Sequence, residues 1–192
     1  FFFSGLVLIL KKEINIRSVY IIGFSLNTLF CSIFYYILIY EWGSPYSGGG
    51  SDDRTYELLA EELASSKINF FNFNELRKEI IPSGHNSPLY PFIVSLLIRL
   101  SNLFGEYHTL IPRLFNSMIL AFISVLVYLI SIKLNLSRRL SAISSITVSI
   151  FPIMMLFSSY LLRDILTSFI ICSLFYLIIT NEFKYSFLTF YR

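Results

Sequence analysis

Charged side chains are scarce in this sequence. Its 192 residues include 15 basic and 12 acidic side chains, which is 14%, whereas 55% of the residues are hydrophobic and 18% aromatic. A soluble domain of this size needs a largely polar surface, and this composition cannot supply one. The sequence therefore predicts an integral membrane protein, and the mean hydropathy of +0.68 agrees.

Several signatures of soluble chemistry are missing as well. The two cysteines, Cys31 and Cys172, lie inside apolar runs, where a thiol behaves as a small hydrophobe and carries no information on redox compartment. The sequence has no zinc-ligand spacing, no phosphate-binding glycine loop and no serine nucleophile elbow. The net charge of +3 is small, and no basic patch alternates with aromatic residues. Nucleic acid is therefore not an expected partner.

Long apolar runs are what the sequence does contain. A helix needs about 20 apolar residues to cross roughly 30 Å of hydrocarbon. Four runs qualify, over residues 20–40, 114–132, 140–161 and 165–180. We therefore expect an all-α, polytopic transmembrane helix bundle of about four spans. The missing initiator Met and the end just past an apolar run predict that 1–192 is one membrane domain and a fragment of a longer polytopic chain.

A fifth apolar stretch, 89–104, is shorter and is interrupted by Pro91 and Arg99. If it spanned, the basic segment KLNLSRR would lie outside the cell, against the positive-inside rule. With four spans, the loop 41–112 is external and the basic residues share the cytoplasmic side. The alternative is a tilted fifth span whose Arg99 reaches the interface. The cytoplasmic set in the four-span topology is Lys11, Lys12, Arg17, Lys133, Arg138, Arg139 and Lys184.

Two interfacial amphipathic helices are predicted inside the external loop. One begins near Asp52, which occupies the expected N-cap. The other, 89–104, is expected to lie in the interface with its apolar face in lipid. In the first helix, Tyr56, Leu59, Ala60, Leu63 and Ala64 recur at helical spacing, while Glu57, Glu61 and Glu62 take the other faces.

Two acidic positions are the leading candidates for chemistry. Asp52 and Asp53 are neighbours at a helix start beside a bilayer, and a carboxylate in such a position is suited to the role of a general base. The alternative is a helix cap with a second acid in the first turn. Arg163 and Asp164 lie between the third and fourth runs, at the membrane boundary, where an ionisable pair is costly unless its charges are satisfied and such residues are often functional. The alternatives are an interfacial ion pair and an aspartate that caps the fourth span.

Three further residues are weaker candidates for substrate binding, and all are expected on the outer side. His85 and Tyr90 belong to the segment SGHNSPLYP, and Arg113 precedes the second long run. An arginine keeps its charge near lipid and presents two parallel donors to a phosphate. The alternatives are a solvated loop histidine and an arginine that anchors the interface.

These segments together resemble a known family. In order they are SDDRTYELLAEEL, with an acidic pair before Tyr-x-x-Leu-Ala, then HNSPLYPFIVSLLIRLSNLFG, then RLFN at the start of the next run. Their order and spacing resemble the N-terminal part of the membrane GT-C glycosyltransferases. The closest resemblance is to the branch of protein O-mannosyltransferases and bacterial aminoarabinose lipid A transferases, a glycosyltransferase family 39-like branch. The sequence departs from that pattern at Ser87, which replaces a proline, and at Arg163 and Asp164, where many members have an acid followed by proline.

The resemblance implies transfer of a sugar from a polyprenyl-phosphate carrier to a lipid, glycan or protein acceptor, on the outer face of a bacterial inner membrane. It implies Asp52 as the general base, assisted by Asp53, with Asp164 as the second acid of the site. A divalent cation, for which Asp52 and Asp164 are the candidate ligands, is the only cofactor considered. His85, Tyr90, Arg113 and Arg163 are the candidate donor-binding residues.

Two other classes of protein remain open. The chain could be a polysaccharide polymerase, a flippase or a transporter subunit, or an assembly subunit without activity. A transporter predicts ionisable groups or broken helices at mid-membrane depth. The four apolar runs are nearly free of charge and the acids lie at their outer ends, which favours chemistry at the surface.

Overall fold

The computed structural model describes residues 15–46, 52–66 and 89–180. Within these ranges the chain forms seven α-helices and no β-strand, so the expectation of an all-helical fold is confirmed for the described part. The helices are α1 (Ile16–Trp42), α2 (Asp52–Ser65), α3 (Leu89–Asn102), α4 (Leu110–Lys133), α5 (Arg138–Ser149), α6 (Pro152–Ser159) and α7 (Asp164–Ile179).

Two helices are long and apolar enough to cross a membrane, α1 with 27 residues and α4 with 24. They cover the first two predicted spans. Helices α5 and α6 pass the same test together, although they are bent by 51° at the break between them, so the described residues hold two to three candidate spans. The chain is a membrane protein by the length and composition of these helices.

The predicted span 140–161 is wrong as a single straight helix. Pro152 has no amide hydrogen and cannot continue the hydrogen-bond ladder of α5. The amide of Phe151 instead bonds to the carbonyl of Val148 at 3.3 Å, and α6 begins with Pro152 in its first turn. The fourth predicted span corresponds to α7, whose 16 residues make a helix of about 24 Å.

Helix α4 lies at the centre of the bundle, in contact with α1, α5, α6 and α7. Small residues bring these helices close together. A Cβ on Gly23 would lie 2.8 Å from Oγ of Ser149 and 3.7 Å from Cα of Ala121. The hydroxyls of Ser124 and Ser149 are 2.5 Å apart, and Ser145 donates to the carbonyl of Ser124 at 2.7 Å. This is the close packing through Gly and Ser that is typical of membrane helices.

The bundle has two chemically different ends. At one end, Val19, Tyr128 and Ala142 pack together, which joins the start of α1, the end of α4 and the start of α5. At the opposite end, the hydroxyls of Tyr35 and Thr109 are hydrogen-bonded at 3.0 Å, which joins the end of α1 to the start of α4. The first end carries the exposed basic residues Arg17, Lys133, Arg138 and Arg139.

Helices α2 and α3 pack against each other at the second end of the bundle. Tyr56 of α2 is buried in one cluster with Tyr90 of α3 and with Leu161, which follows α6. The Nη2 atom of Arg99 donates to the carbonyls of Leu63 and Ser66 at 3.1 and 2.7 Å, so this side chain caps the end of α2.

This packing corrects the prediction for α3. The sequence predicts that its apolar face lies in lipid, but the buried face contacts protein because α2 covers it. The buried residues are Tyr90, Pro91, Val94, Ser95 and Ile98, while Leu89, Leu96 and Leu100 stay exposed.

The close approach at Gly23 can be tested by substitution. We expect Gly23→Leu to lower the free energy of unfolding by about 1–3 kcal/mol, because α1 must move away from Ser149 and Ala121. Gly105→Leu is the matched control, since nothing lies within 4 Å of a Cβ there. Denaturation in detergent micelles would compare the two variants, and equal stability would contradict the packing described.

Candidate functional site

The most buried charge in the described structure is the guanidinium of Arg113, near the start of α4. Its side chain has 0% exposure. Nη1 donates to the carbonyl of Thr109 at 2.8 Å, and Nη2 donates to the carbonyl of Pro45 at 2.9 Å. The rings of Tyr35 and Tyr46 lie 5.7 and 5.6 Å from the guanidinium carbon, within cation–π range. Arg113 therefore connects the segment after α1 to the start of α4.

Two acids of α2 face this arginine. Oδ2 of Asp53 and Oε2 of Glu57 each lie 4.0 Å from a terminal nitrogen of Arg113, and both side chains are only 1% exposed. They are four residues apart, so they share one face of α2. Buried charges persist in proteins when they are paired, and here one cation serves two carboxylates.

Two tyrosines complete the surroundings of Glu57. Tyr46 donates its hydroxyl to Oε2 at 2.7 Å, and Tyr107 donates its hydroxyl to Oε1. Burial raises the pKa of the Glu57 carboxyl above its usual 4.5, while the two hydroxyls and Arg113 act in the opposite direction. Burial and the nearby carboxylate also raise the pKa of both tyrosines, so they stay protonated as donors.

Asn116 lies one turn further along α4 and holds three segments together. Its Nδ2 donates to the hydroxyl of Tyr90 at 2.9 Å and to the carbonyl of Tyr160 at 3.0 Å, with Leu162 O at 3.4 Å. Asn116 is fully buried. It therefore fixes α3 and the connection between α6 and α7 against the central helix.

Three charged residues, Asp52, Arg163 and Asp164, act electrostatically on the hydroxyl of Tyr56. The ring of Tyr56 packs edge-on against Tyr90, with centroids 5.6 Å apart at 79°. Burial raises the pKa of the Tyr56 hydroxyl; Arg163 opposes this shift, whereas Asp52 and Asp164 add to it. All three charged groups are thus within electrostatic reach of one hydroxyl. Asp52 and Asp164 are exposed, and Arg163 is half-buried.

The predicted site residues fall into two groups in the structure. Asp52, Arg163 and Asp164 belong to the two segments that Tyr56 and Leu161 pack together, the start of α2 and the start of α7. Asp53 and Arg113 are brought together inside the protein, where neither has appreciable exposed surface.

Tyr90, another predicted donor-binding residue, is buried against Tyr56. Tyr90 is 1% exposed and accepts the hydrogen bond from Asn116. His85 lies outside the described residues.

The prediction that Asp52 caps α2 is wrong, because the helix begins at Asp52 itself. Asp52 and Asp53 both occupy the first turn, where negative charge is favoured by the helix dipole.

Sequence reasoning missed Glu57, Tyr46, Tyr107 and Asn116. Glu57 was assigned to a polar face, but it lies four residues after Asp53 and directly after the buried Tyr56, on the face that packs inward. Two acids on a buried helix face require a buried cation nearby. This requirement could have indicated the pairing of Asp53 and Glu57 with Arg113. In the sequence, Asn116 is the last residue of the segment RLFN, and no role is predicted for it.

The described residues do not provide a complete set of protein ligands for a metal. No group of three or more His, Cys, Asp or Glu side chains able to hold an ion occurs among them. Asp52 and Asp164 alone would leave most coordination positions of a hard cation to other oxygen ligands. The cation stays a prediction of the resemblance, and no chemical step below depends on it.

Comparisons of this chain with protein-family models, curated proteins and solved structures found no match. The resemblance to the GT-C glycosyltransferases therefore stays a prediction from the motif residues. The packing of Tyr56 in one cluster with Leu161 is the structural observation on which a function is proposed.

The raised pKa of Glu57 has a measurable consequence for stability. The folded state holds its proton to higher pH than the unfolded state, so the stability that this proton contributes is complete below pH 4.5 and is lost as pH rises through the folded pKa. We expect unfolding in micelles to show stability falling with pH above 4.5, and Glu57→Gln to flatten this dependence. Glu62→Gln, at an exposed site, is the control; an unchanged slope in Glu57→Gln would contradict the assignment.

Proposed function

We propose that this chain belongs to a glycosyltransferase that moves a sugar from a polyprenyl-phosphate carrier to an acceptor hydroxyl at the outer face of a membrane. The observation that carries the proposal is the packing of Tyr56 in one cluster with Leu161, which brings the start of α2 with Asp52 to the connection that carries Arg163 and Asp164. These residues lie at the end of the bundle opposite the exposed basic residues. The site combines accessible carboxylates with one cation beside a membrane surface.

The proposed reaction needs one base and one compensating positive charge. Asp52 takes the proton of the acceptor hydroxyl, whose oxygen forms a bond to the anomeric carbon of the donor sugar. The bond from that carbon to the carrier phosphate oxygen breaks, and the phosphate leaves with the electron pair. Arg163 stabilises this developing negative charge. Asp164, exposed beside Arg163, is assigned to hold the acceptor.

The other predicted residues take different parts in the proposal. Burial keeps Asp53, Tyr90 and Arg113 away from an acceptor, so we assign them to supporting the site from inside. His85 keeps its assignment to the donor phosphate from the resemblance alone.

The proposed membrane arrangement follows from the two ends of the bundle. We infer four passes, formed by α1, α4, the bent pair of α5 and α6, and α7. The exposed Lys133, Arg138 and Arg139 would face the cytoplasm, as the positive-inside rule predicts. Helices α2 and α3 would then lie at the outer interface of a bacterial inner membrane.

One observation favours a second candidate, a flippase or transporter. The break between α5 and α6, with its 51° bend, resembles the discontinuous helices that line transport sites. The stretch 140–162 around the break, however, contains no Asp, Glu, Lys, Arg or His. Ionisable groups usually mark such pathways, which leaves the outer acids as the better-supported site.

The test is sugar transfer in proteoliposomes by the purified full-length protein, since 1–192 is expected to be a fragment that is inactive alone. The probes are undecaprenyl-phosphate and dolichyl-phosphate monosaccharides, and the readout is release of the polyprenyl phosphate. We expect Asp52→Asn to reduce transfer about 10²- to 10⁴-fold, since it removes the general base.

Glu62→Gln, an exposed acid on the same helix, is the control and should transfer sugar at the wild-type rate. Undiminished transfer by Asp52→Asn, or no turnover of any probe by the wild type, would contradict the proposal.

A further inference from the structure

We infer that Arg113 is a positioning residue of this site: by pairing with Asp53 and Glu57 it holds the first turn of α2, which carries Asp52, beside the connection between α6 and α7. This inference rests on the proposed function for its consequence in catalysis. It replaces the sequence-based assignment of Arg113 to the donor phosphate.

The orientation of Arg113 argues against direct contact with a substrate. Its side chain is completely buried. Both terminal nitrogens donate to carbonyl oxygens of the protein, at Thr109 and Pro45. An anion entering this site would also meet Asp53 and Glu57, which repel it. The guanidinium therefore acts on groups of the chain itself.

The link to Asp52 is direct along the chain. Asp53 directly follows Asp52, and Glu57 lies about one helical turn further. The two ion pairs with Arg113 therefore fix the rotation of α2 about its axis and its position along that axis. Successive side chains of a helix are about 100° apart, so the face that carries Asp53 inward carries Asp52 to the outside. A rotation of α2 would move Asp52 away from Arg163 and Asp164, which lie on a different segment of the chain.

The packing of α2 on α3 does not join α2 directly to α4. Helix α2 packs extensively on α3, whereas its backbone has few close approaches to α4. The charged side chains bridge this separation. Removing the cation would leave two buried carboxylates without compensation, which drives α2 to move until they reach water.

The first test measures the position of α2 by spin labelling. In a Cys31→Ala and Cys172→Ala background, nitroxides are attached at Arg54→Cys and Thr167→Cys, both exposed positions. We expect Arg113→Gln to broaden and lengthen the distance distribution between the labels. Combining it with Asp53→Asn and Glu57→Gln should restore a narrow distribution, because no unpaired charge remains. If Arg113→Gln does not fold, Asp53→Asn alone replaces it in this test, and it should also broaden the distance distribution.

The charge-matched control is Arg139→Gln, which removes an exposed arginine at the opposite end of the bundle and should leave the distribution unchanged. An unchanged distribution in both Arg113→Gln and Asp53→Asn would overturn the inference.

The second test separates positioning from substrate binding. A displaced base lowers kcat, and we expect a loss of about 10- to 100-fold in Arg113→Gln with the KM for the donor unchanged. A raised KM with unchanged kcat would overturn the inference in favour of contact with the donor phosphate. If Arg113→Gln alters the label distances but Asp52→Asn transfers sugar normally, the positioning of α2 holds and the proposed function fails.

Discussion

A full positive charge without exposed surface, the guanidinium of Arg113, is the constraint on which the outer half of this protein depends. Burying it requires nearby negative charge and oxygen acceptors, and these come from parts of the chain that are distant in sequence. Asp53 and Glu57 bring α2 to it, while the carbonyl of Pro45 brings the segment that follows α1. The bulky aromatic and acidic groups around it therefore assemble because one cation must be compensated.

The burial of Arg113 also separates the acids of α2 into an inner group that pairs with it and an outer group that stays exposed. Those on the inner face are committed to Arg113, which leaves Asp52 exposed beside the connection between α6 and α7. Asn116 of α4 holds that connection through a hydrogen bond to the carbonyl of Tyr160, and it holds α3 through a hydrogen bond to the hydroxyl of Tyr90. The buried charges of Arg113, Asp53 and Glu57 thus support the start of α2 with Asp52, and the buried amide of Asn116 supports the connection that leads to Asp164.

Apolar length and periodicity predicted α1, α2 and α4 because these helices follow simple patterns of burial. Hydropathy could not predict the break before Pro152, since the residues on both sides are equally apolar and only the missing amide hydrogen interrupts the ladder. The acids were found because charge is rare in this chain. Their division into inner and outer groups depends on Arg113, some 60 residues away from Asp53, and no local pattern encodes that pairing.

The central claim is that the start of α2 and the start of α7 form one site, and intramolecular cross-linking tests it most directly. In the cysteine-free background, Asp52→Cys with Asp164→Cys should be joined rapidly by a short bifunctional thiol reagent, with the linked peptides identified by mass spectrometry. Asp52→Cys with Ser137→Cys, at the opposite end of the bundle, should not be joined. Failure of the first pair to cross-link, with both thiols shown to react singly, would contradict the account.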